Sequence, residues 1–380
     1  MFFVESFIFV YIFFRAILPL RARLPVKAAA TLGAVAVIFA PHILRIGAAG
    51  PCVPEWLPQP LLVIASWGFA VSFFFLILLA AADAVRLVRR AWRRFRSAAR
   101  SGRARVSHCA VNLLLLVASS LLASCGMLEG IAEPKVIETE VRSPRLPEEL
   151  DGFRIVLVTD LHVDSRRSRD YLPRIVERMN GLKPDLVAIA GDFADGRAAD
   201  IAPRLEALRA LKANYGVFGV AGNHEYYSDY KGYMAILPSL GVTMLENSHR
   251  MIRPDFAVAG ITDPAAHRRR LPMPDLPGAL NGIPGNAFVL LLAHRPRFFA
   301  EAAKRGVDLQ LSGHTHGGLV WGLGPLIART NGGFVAGLYR IDDSALYVSR
   351  GTATWGFGRL GFQARLGVPS EITLLVLRRP

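Results

Sequence analysis

Cysteine is nearly absent from this chain. The 380 residues hold three, Cys52, Cys109 and Cys125, and none lies in residues 134–380. Disulfides therefore cannot stabilise the C-terminal part, and any metal site there must do without thiolates. Internal repeats and low-complexity tracts are also lacking, which sets aside solenoid and tail-like architectures. Positive charge is missing from one short stretch: residues 50–60 contain no lysine or arginine.

What is present divides the chain in two. Residues 1–130 are strongly apolar, while residues 134–380 have the composition of an ordinary soluble domain, long enough for a substantial core. The formal net charge is +15, and the first 133 residues carry 14 Lys and Arg against 5 acidic residues. Nine arginines fall between Arg86 and Arg105. Such a run can mark a nucleic-acid binder. Here it is wedged between apolar segments, so it reads as a membrane-surface loop and no nucleic-acid partner is expected.

Four segments approach the roughly 20 apolar residues that a bilayer crossing needs: Phe2–Leu20, Ala28–Leu44, Leu61–Val85 and Cys109–Leu128. Arg21, Arg23 and Lys27 separate the first pair, and the arginine-rich loop separates the last. Positive loops stay in the cytoplasm, so the N-terminus and everything after the fourth segment are expected outside it. Leu122-Ala123-Ser124-Cys125 resembles a lipoprotein cleavage box. Such boxes belong near an N-terminus, and a membrane helix of small packing residues is the preferred reading.

Beyond Lys135, strand and helix patterns alternate. Strands are expected at Val136–Val141, Phe153–Thr159, Asp185–Ala190, Gly216–Ala221, Val242–Leu245, Ala257–Ile261, Phe288–Leu292 and Leu309–Leu311, and the last part, from Gly333 to Leu377, reads as β-rich, with strands at Leu346–Ser349 and Ile372–Leu377. Helices are expected at Arg169–Asn180, Ala202–Leu211, Tyr230–Leu240 and Arg297–Arg305, and an exposed loop at His267–Arg270. The alternation predicts an α/β domain with a mainly parallel sheet.

Five short motifs sit where the apolar strands end: Asp160-Leu161-His162, Gly191-Asp192, Gly222-Asn223-His224-Glu225, His294, and Gly313-His314-Thr315-His316. They hold five of the nine histidines in the chain. In open α/β sheets reactive groups gather at the carboxyl ends of strands, where the loops converge. One Gly-Asp or Asp-x-His alone is usually a turn. Five in order supply carboxylates, an amide and imidazoles, a donor set for a pair of hard-to-borderline divalent cations.

In these motifs the sequence resembles the calcineurin-like metallophosphoesterase superfamily, over residues 150–320 and on toward the C-terminus. The resemblance implies a four-layer α/β/β/α sandwich with two mixed sheets, following an N-terminal α-helical membrane region of about four transmembrane helices. It also implies a metal-dependent phosphoric ester hydrolase, a phosphodiesterase, with two divalent metal ions (Mn²⁺ first, Fe or Zn²⁺ as alternatives). Asp160, His162 and His316 would hold one metal, Asn223, His294 and His314 the other, and Asp192 would bridge them. His224 would face the substrate and assist the leaving group or the transition-state charge. Glu225 replaces the family's usual aspartate after that histidine and is expected to orient its ring. Asp195 is read as stabilising its loop, and His249 and His267 as surface or structural residues.

The membrane region and the Gly-His-Thr-His-Gly-Gly ending look like bacterial membrane-associated phosphodiesterases, some of which cleave the pyrophosphate of UDP-2,3-diacylglucosamine. A phosphate ester, lipid-linked in one version, is the implied substrate, with membrane lipid as neighbour and the bacterial inner membrane as location. Two features depart from that subgroup: the positive-inside pattern places the domain outside the cytosol, and Leu319 stands where glutamine is common. Arg166, Arg167 and Arg268–Arg270 are candidate anion binders, although parts of solvated loops are the preferred reading. A metal-binding membrane protein without turnover is the reading from another class; it would be favoured by a missing ligand, and none is missing.

Overall fold

The computed structural model describes residues 2–46, 56–95, 107–354 and 362–380. The connection at residues 47–55, with Cys52, and the end of the arginine-rich run at residues 96–106 lie outside the described residues. The chain divides into two compact units, Met1–Leu128 with Leu360–Ala364, and Glu129–Arg359 with Arg365–Pro380.

The first unit is helical. Among the described residues three helices are long and apolar enough to cross a membrane: Leu24–Leu44, Gln59–Trp92 and His108–Ile131. The first of the four expected segments falls short. Its α-helix runs over Phe2–Ile12 and continues as a π-helix over Phe13–Ile17, about 24 Å at ~1.5 Å per residue. Its Arg15 Nε lies 2.8 and 2.7 Å from the two Asp83 oxygens, and Tyr11 and Arg86 donate to the same carboxylate. The helix Gln59–Phe95 has 37 residues, about 55 Å long. It therefore outruns a ~30 Å hydrocarbon core and carries the first arginines of the basic run as a helical extension.

The second unit holds twelve strands among the described residues: β1 (Lys135–Arg142), β2 (Arg154–Val158), β3 (Leu186–Ala190), β4 (Val217–Val220), β5 (Val242–Met244), β6 (Ser248–Arg253), β7 (Phe256–Gly260), β8 (Phe288–Leu292), β9 (Leu309–Ser312), β10 (Gly337–Ile341), β11 (Ser344–Val348) and β12 (Glu371–Arg378). They form two six-stranded sheets, in the orders β1-β12-β2-β3-β4-β5 and β10-β11-β9-β8-β7-β6. Both are mixed. In the first, β2 through β5 run parallel while β12 is antiparallel to β2; in the second, β7, β8 and β9 are parallel, with antiparallel edges.

Alternation along β2 explains the layers. Ile155 and Leu157 enter a core shared with Phe256, Val258, Leu290 and Leu311 of the second sheet. Val156 and Val158 face the opposite way, into a core with the helices Tyr171–Gly181, Ala198–Leu205 and Tyr230–Ser239. On the outer face of the second sheet, Ala259, Val289 and Leu291 pack on Leu276, Ala279 and Ala302 from two short helices. The result is the α/β/β/α sandwich. Strands covered on both faces must be apolar at every position, hence the unbroken runs in the sequence.

The expected elements shift in places. The helix expected at Ala202–Leu211 starts earlier, at Ala198, and tightens to a 3-10 turn over Glu206–Ala210. The segment containing His267–Arg270 is a 3-10 helix over Pro264–Arg269, capped by Asp263. Strand β6 gave no sequence signal, and β10 lies in the β-rich stretch without standing out as a strand: they are the two edges of the second sheet, only partly buried, and so need no apolar run.

This layering predicts where truncation hurts. Leu375 of β12 is fully buried between the sheets, whereas Leu338 of edge strand β10 is 37% exposed. Leu375→Ala should cost about 2–5 kcal/mol and Leu338→Ala under about 1. Pulse proteolysis of the detergent-solubilised chain across a urea series checks the difference; equal losses would contradict it.

Candidate metal centre

Every motif residue lies just past the end of a parallel strand: Asp160 and His162 after β2, Asp192 after β3, Asn223 and His224 after β4, His294 after β8, His314 and His316 after β9. Backbone pairing continues beyond the strands and ties the loops together. Asp160 N donates to Gly191 O, His162 N to Asp192 O, and Gly313 N to His294 O, at 3.0–3.1 Å. Five of the eight motif residues just named, Asp160, His162, Asp192, His314 and His316, adopt positive φ. Such non-glycine strain, about 1–3 kcal/mol each, persists only where surrounding structure enforces it and clusters at functional sites. Gly191 and Gly222 serve the same close approach: a Cβ on either would collide with the His294 ring or the Asp192 carboxylate.

Asp160, His162 and His316 offer ligand atoms within 4.8 Å of one another, as do Asp160, Asp192 and His294, and also His162, Asp192 and His224. Asp160 and Asp192 belong to two groups each, so the groups form one continuous centre. Nε2 of His294 lies 3.3 Å from Asp192 Oδ2, and Nε2 of His316 lies 3.5 Å from Asp160 Oδ1. The His314 ring stands edge-on to that of His294, with centroids 5.2 Å apart.

The residues fit cations on three counts. Asp160 Oδ1 and Asn223 Oδ1 are buried with no hydrogen bond, a costly state for an oxygen without a positive partner. Nε2 of His162 and Nε2 of His316 are 3.3 Å apart, close to the ~3.0–3.4 Å taken by two nitrogens sharing one ion at about 2.1 Å. Finally, the remote ring nitrogens are anchored. Nδ1 of His294 lies 2.8 Å from Ala190 O, Nδ1 of His316 3.2 Å from Ala353 O, and Nδ1 of His162 3.1 Å from Asp195 Oδ2. A proton on Nδ1 of His294 and of His162 leaves Nε2 free as a ligand, while His316 Nδ1 also faces the Arg365 guanidinium, a donor only, at 3.2 Å.

Electrostatics points the same way. Burial pushes His314 and His316 well below their usual values, with the neighbouring His294 and His162 adding to it; both offer lone pairs at neutral pH. Burial raises Asp160. Burial would raise Asp192 too, but the surrounding imidazoles, His294 foremost, outweigh it and hold that carboxyl well below the usual range. Burial opposes charge on His294, yet Asp192 prevails and pushes it up to about 10.

The expected pairing of Glu225 with the His224 ring is not the one found. Glu225 instead ties its own loop to the one after β3, accepting N–H bonds from Gly222, Asp192 and Ala194 at 2.7, 3.1 and 3.2 Å. Burial, with Asp192 adding to it, pushes Glu225 up to about 8. The His224 ring is held by Asp195, whose Oδ1 lies 2.5 Å from Nδ1. One carboxylate thus orients two imidazoles, His162 and His224, from a position read in the sequence as loop support. Arg365 carried no sequence signal at all. Fully buried, it donates to Ala353 O, Arg350 O and His316 O and fastens the backbone around His316.

The arginine candidates separate. Arg269 clamps the carbonyls of Tyr226, Tyr227 and Ser228. Arg268 lies 4.9 Å over the Tyr227 ring, and the Arg167 guanidinium turns to Thr354 O and the Tyr171 ring. His249 bonds Ala279 O and His267 bonds Pro264 O, both away from the centre.

Residues 153–318 match the family model described as calcineurin-like phosphoesterase. A transmembrane protein with metallophosphoesterase domain from Danio rerio is 36% identical over 279 residues, 70% of this chain and 62% of that protein. A Helicobacter pylori metallophosphoesterase is 35% identical, covering 66% of each chain. The Bacillus subtilis metallophosphoesterase YkuE is 31% identical over 265 residues, 65% of this chain and 87% of that one. The matched region thus spans under two thirds of the length of the Danio rerio relative.

A divalent cation and the His294 proton compete for the same nitrogen. Because that proton is held up to about 10, cation affinity should fall as pH falls through the neutral range, by up to about tenfold per unit for each proton displaced. Titrating Mn²⁺ calorimetrically at about pH 6.5 and about pH 7.5, in buffers of different ionisation enthalpy, should show proton release. Affinity independent of pH and buffer would refute this.

Proposed function

The chain belongs to the calcineurin-like phosphoesterase family, and from that premise we propose that it is a membrane-anchored dinuclear metallophosphoesterase acting on a phosphodiester or a lipid-linked phosphate or pyrophosphate ester. The observation that carries the reading is the junction of Asp160, His162, Asp192, His294 and His316 in overlapping ligand groups at the ends of parallel strands. In the proposed assignment Asp160, His162 and His316 form one seat, Asn223, His294 and His314 the other, and Asp192 is common to both. Mn²⁺ is the first choice of metal, with Fe and Zn²⁺ compatible with the same donors. Two bound cations supply a nucleophilic water at neutral pH and offset charge on the phosphoryl oxygens.

The protein's own groups do the rest. Asp195 fixes His224 with Nδ1 protonated, so that Nε2, 3.9 Å from Asp192 Oδ2, faces the centre. A protonated His224 can deliver its Nε2 proton to the departing oxygen as the phosphorus–oxygen bond breaks. Glu225 acts one step removed: by gathering three loop amides it holds Asp192 and the Gly222 turn in place. The domain from residue 134 onward is assigned to the extracytoplasmic side, on the positive-inside argument.

Hydrolysis of bis(p-nitrophenyl) phosphate by the solubilised, Mn²⁺-loaded chain should be lost in Asp192→Ala and in His314→Ala. In His224→Asn it should drop about 10²–10⁴-fold, with the greater loss for esters whose leaving group is a poor one. Wild-type rates in all three would sink the assignment. Orientation has its own check: alkaline phosphatase fused after Pro380 should be active outside the cytosol, and a cytosolic reporter signal would favour the UDP-2,3-diacylglucosamine pyrophosphatase reading.

A further inference from the structure

A separate cleft opens at the start of the second unit. One wall is the helix Tyr171–Gly181, which presents Tyr171, Arg174 and Arg178 on a single stripe. The other is the chain leaving the last apolar helix, from Gly130 to Pro134. Arg167 completes the basic side, its guanidinium 4.4 Å from the Tyr171 ring centroid. Three arginines thus face one acid, Glu133.

Two observations indicate an anion here. Arg167 Nε and the Tyr171 hydroxyl are buried without hydrogen-bond partners, and buried donors are rarely left so. Above them, the Glu133 carboxylate bridges Arg174 Nε at 3.3 Å and Arg178 Nη1 at 3.4 Å. Glu133 is mostly exposed, and exposed pairs of this kind contribute little. It marks where an acidic group sits without holding the place firmly.

We propose that this cleft seats the phosphate of an anionic membrane phospholipid, which displaces Glu133 from Arg174 and Arg178. The phosphate's two non-bridging oxygens carry the charge as a carboxylate's do, and its ester oxygens add weaker acceptors, so it can serve both the arginine fork and the unpartnered Arg167 Nε and Tyr171 hydroxyl. Chain connectivity selects a lipid over a free anion. Ile131 is both the last residue of the membrane-length helix and part of the cleft wall. Pro134 is three residues further, at most about 10 Å of extended chain, so the cleft stays at headgroup level, where lipid phosphate is concentrated. The far wall includes Thr352 and Ala353, whose amides donate to Thr159 O and Asp160 O. The lipid seat and the metal centre therefore share one stretch of backbone, although the seat itself does not depend on what the centre hydrolyses.

The test uses the full chain in detergent, titrated with phosphatidylglycerol or phosphatidylcholine and read by native mass spectrometry, with inorganic phosphate as competitor. Phosphatidylglycerol should be preferred. Arg174→Ala with Arg178→Ala should weaken its binding at least about tenfold, and Tyr171→Phe about threefold. Glu133→Gln, which removes the resident competitor, should strengthen it by about three- to tenfold. A fold defect cannot mimic a gain, so Glu133→Gln keeps the test decisive. Binding unchanged by Glu133→Gln and by the double arginine variant would overturn the proposal. So would displacement by inorganic phosphate at concentrations comparable to the lipid, which would make the cleft a free-anion site.

Discussion

The structure turns on one constraint: two carboxylates, Asp160 and Asp192, are buried among imidazoles where two sheets bring their strand ends together. Charge in such a place needs compensation. The protein's own groups offer a partial answer, with Asp192 holding a proton on His294 and burial raising Asp160. The orphaned oxygens of Asp160 and Asn223 mark what remains uncompensated. The positive-φ residues, the close-packed motif glycines and the backbone bonds that extend past the strands all serve to hold these groups at short range.

Orientation is delegated to residues one layer out. Asp195 serves His162 and His224 together, so the proposed ligand and the proposed acid share one anchor. Glu225 organises amides, and its extra methylene relative to aspartate is used to reach back to Gly222, Asp192 and Ala194. Arg365 performs the corresponding task for His316 through carbonyl oxygens. None of the three has to touch a substrate, yet each determines where a nitrogen or carboxylate points.

The membrane part and the metal centre are linked through the residues between them. The last apolar helix ends at Ile131, the basic cleft begins beside it, and its far wall is the Thr352–Ala353 backbone that closes over Asp160 and His316. In the proposed lipid seat, Glu133 occupies the place the phosphate would take, and the backbone of Thr352 and Ala353 is common to that seat and to the loops of the metal centre.

Much of this was legible in the sequence because the relevant forces are local or periodic. Strands buried on both faces must be apolar throughout, so β2, β3, β8 and β9 were visible as runs, and the chemistry at their ends was visible as Asp, His and Asn after a turn. Length and hydropathy showed the long membrane helices, though not that the first segment stops short at Ile17. Edge strand β6 escaped and β10 was legible only as part of a β-rich stretch, because a half-exposed strand needs no apolar run, whereas edge strand β1 showed itself by alternation. What only the tertiary structure decided was partnership across distance: Asp195 rather than Glu225 beside His224, Arg365 behind His316, and Glu133 between Arg174 and Arg178. The physical reason is that residue type and spacing determine which groups are available, while the partner of a buried charge depends on which loops the two sheets bring within about 3 Å.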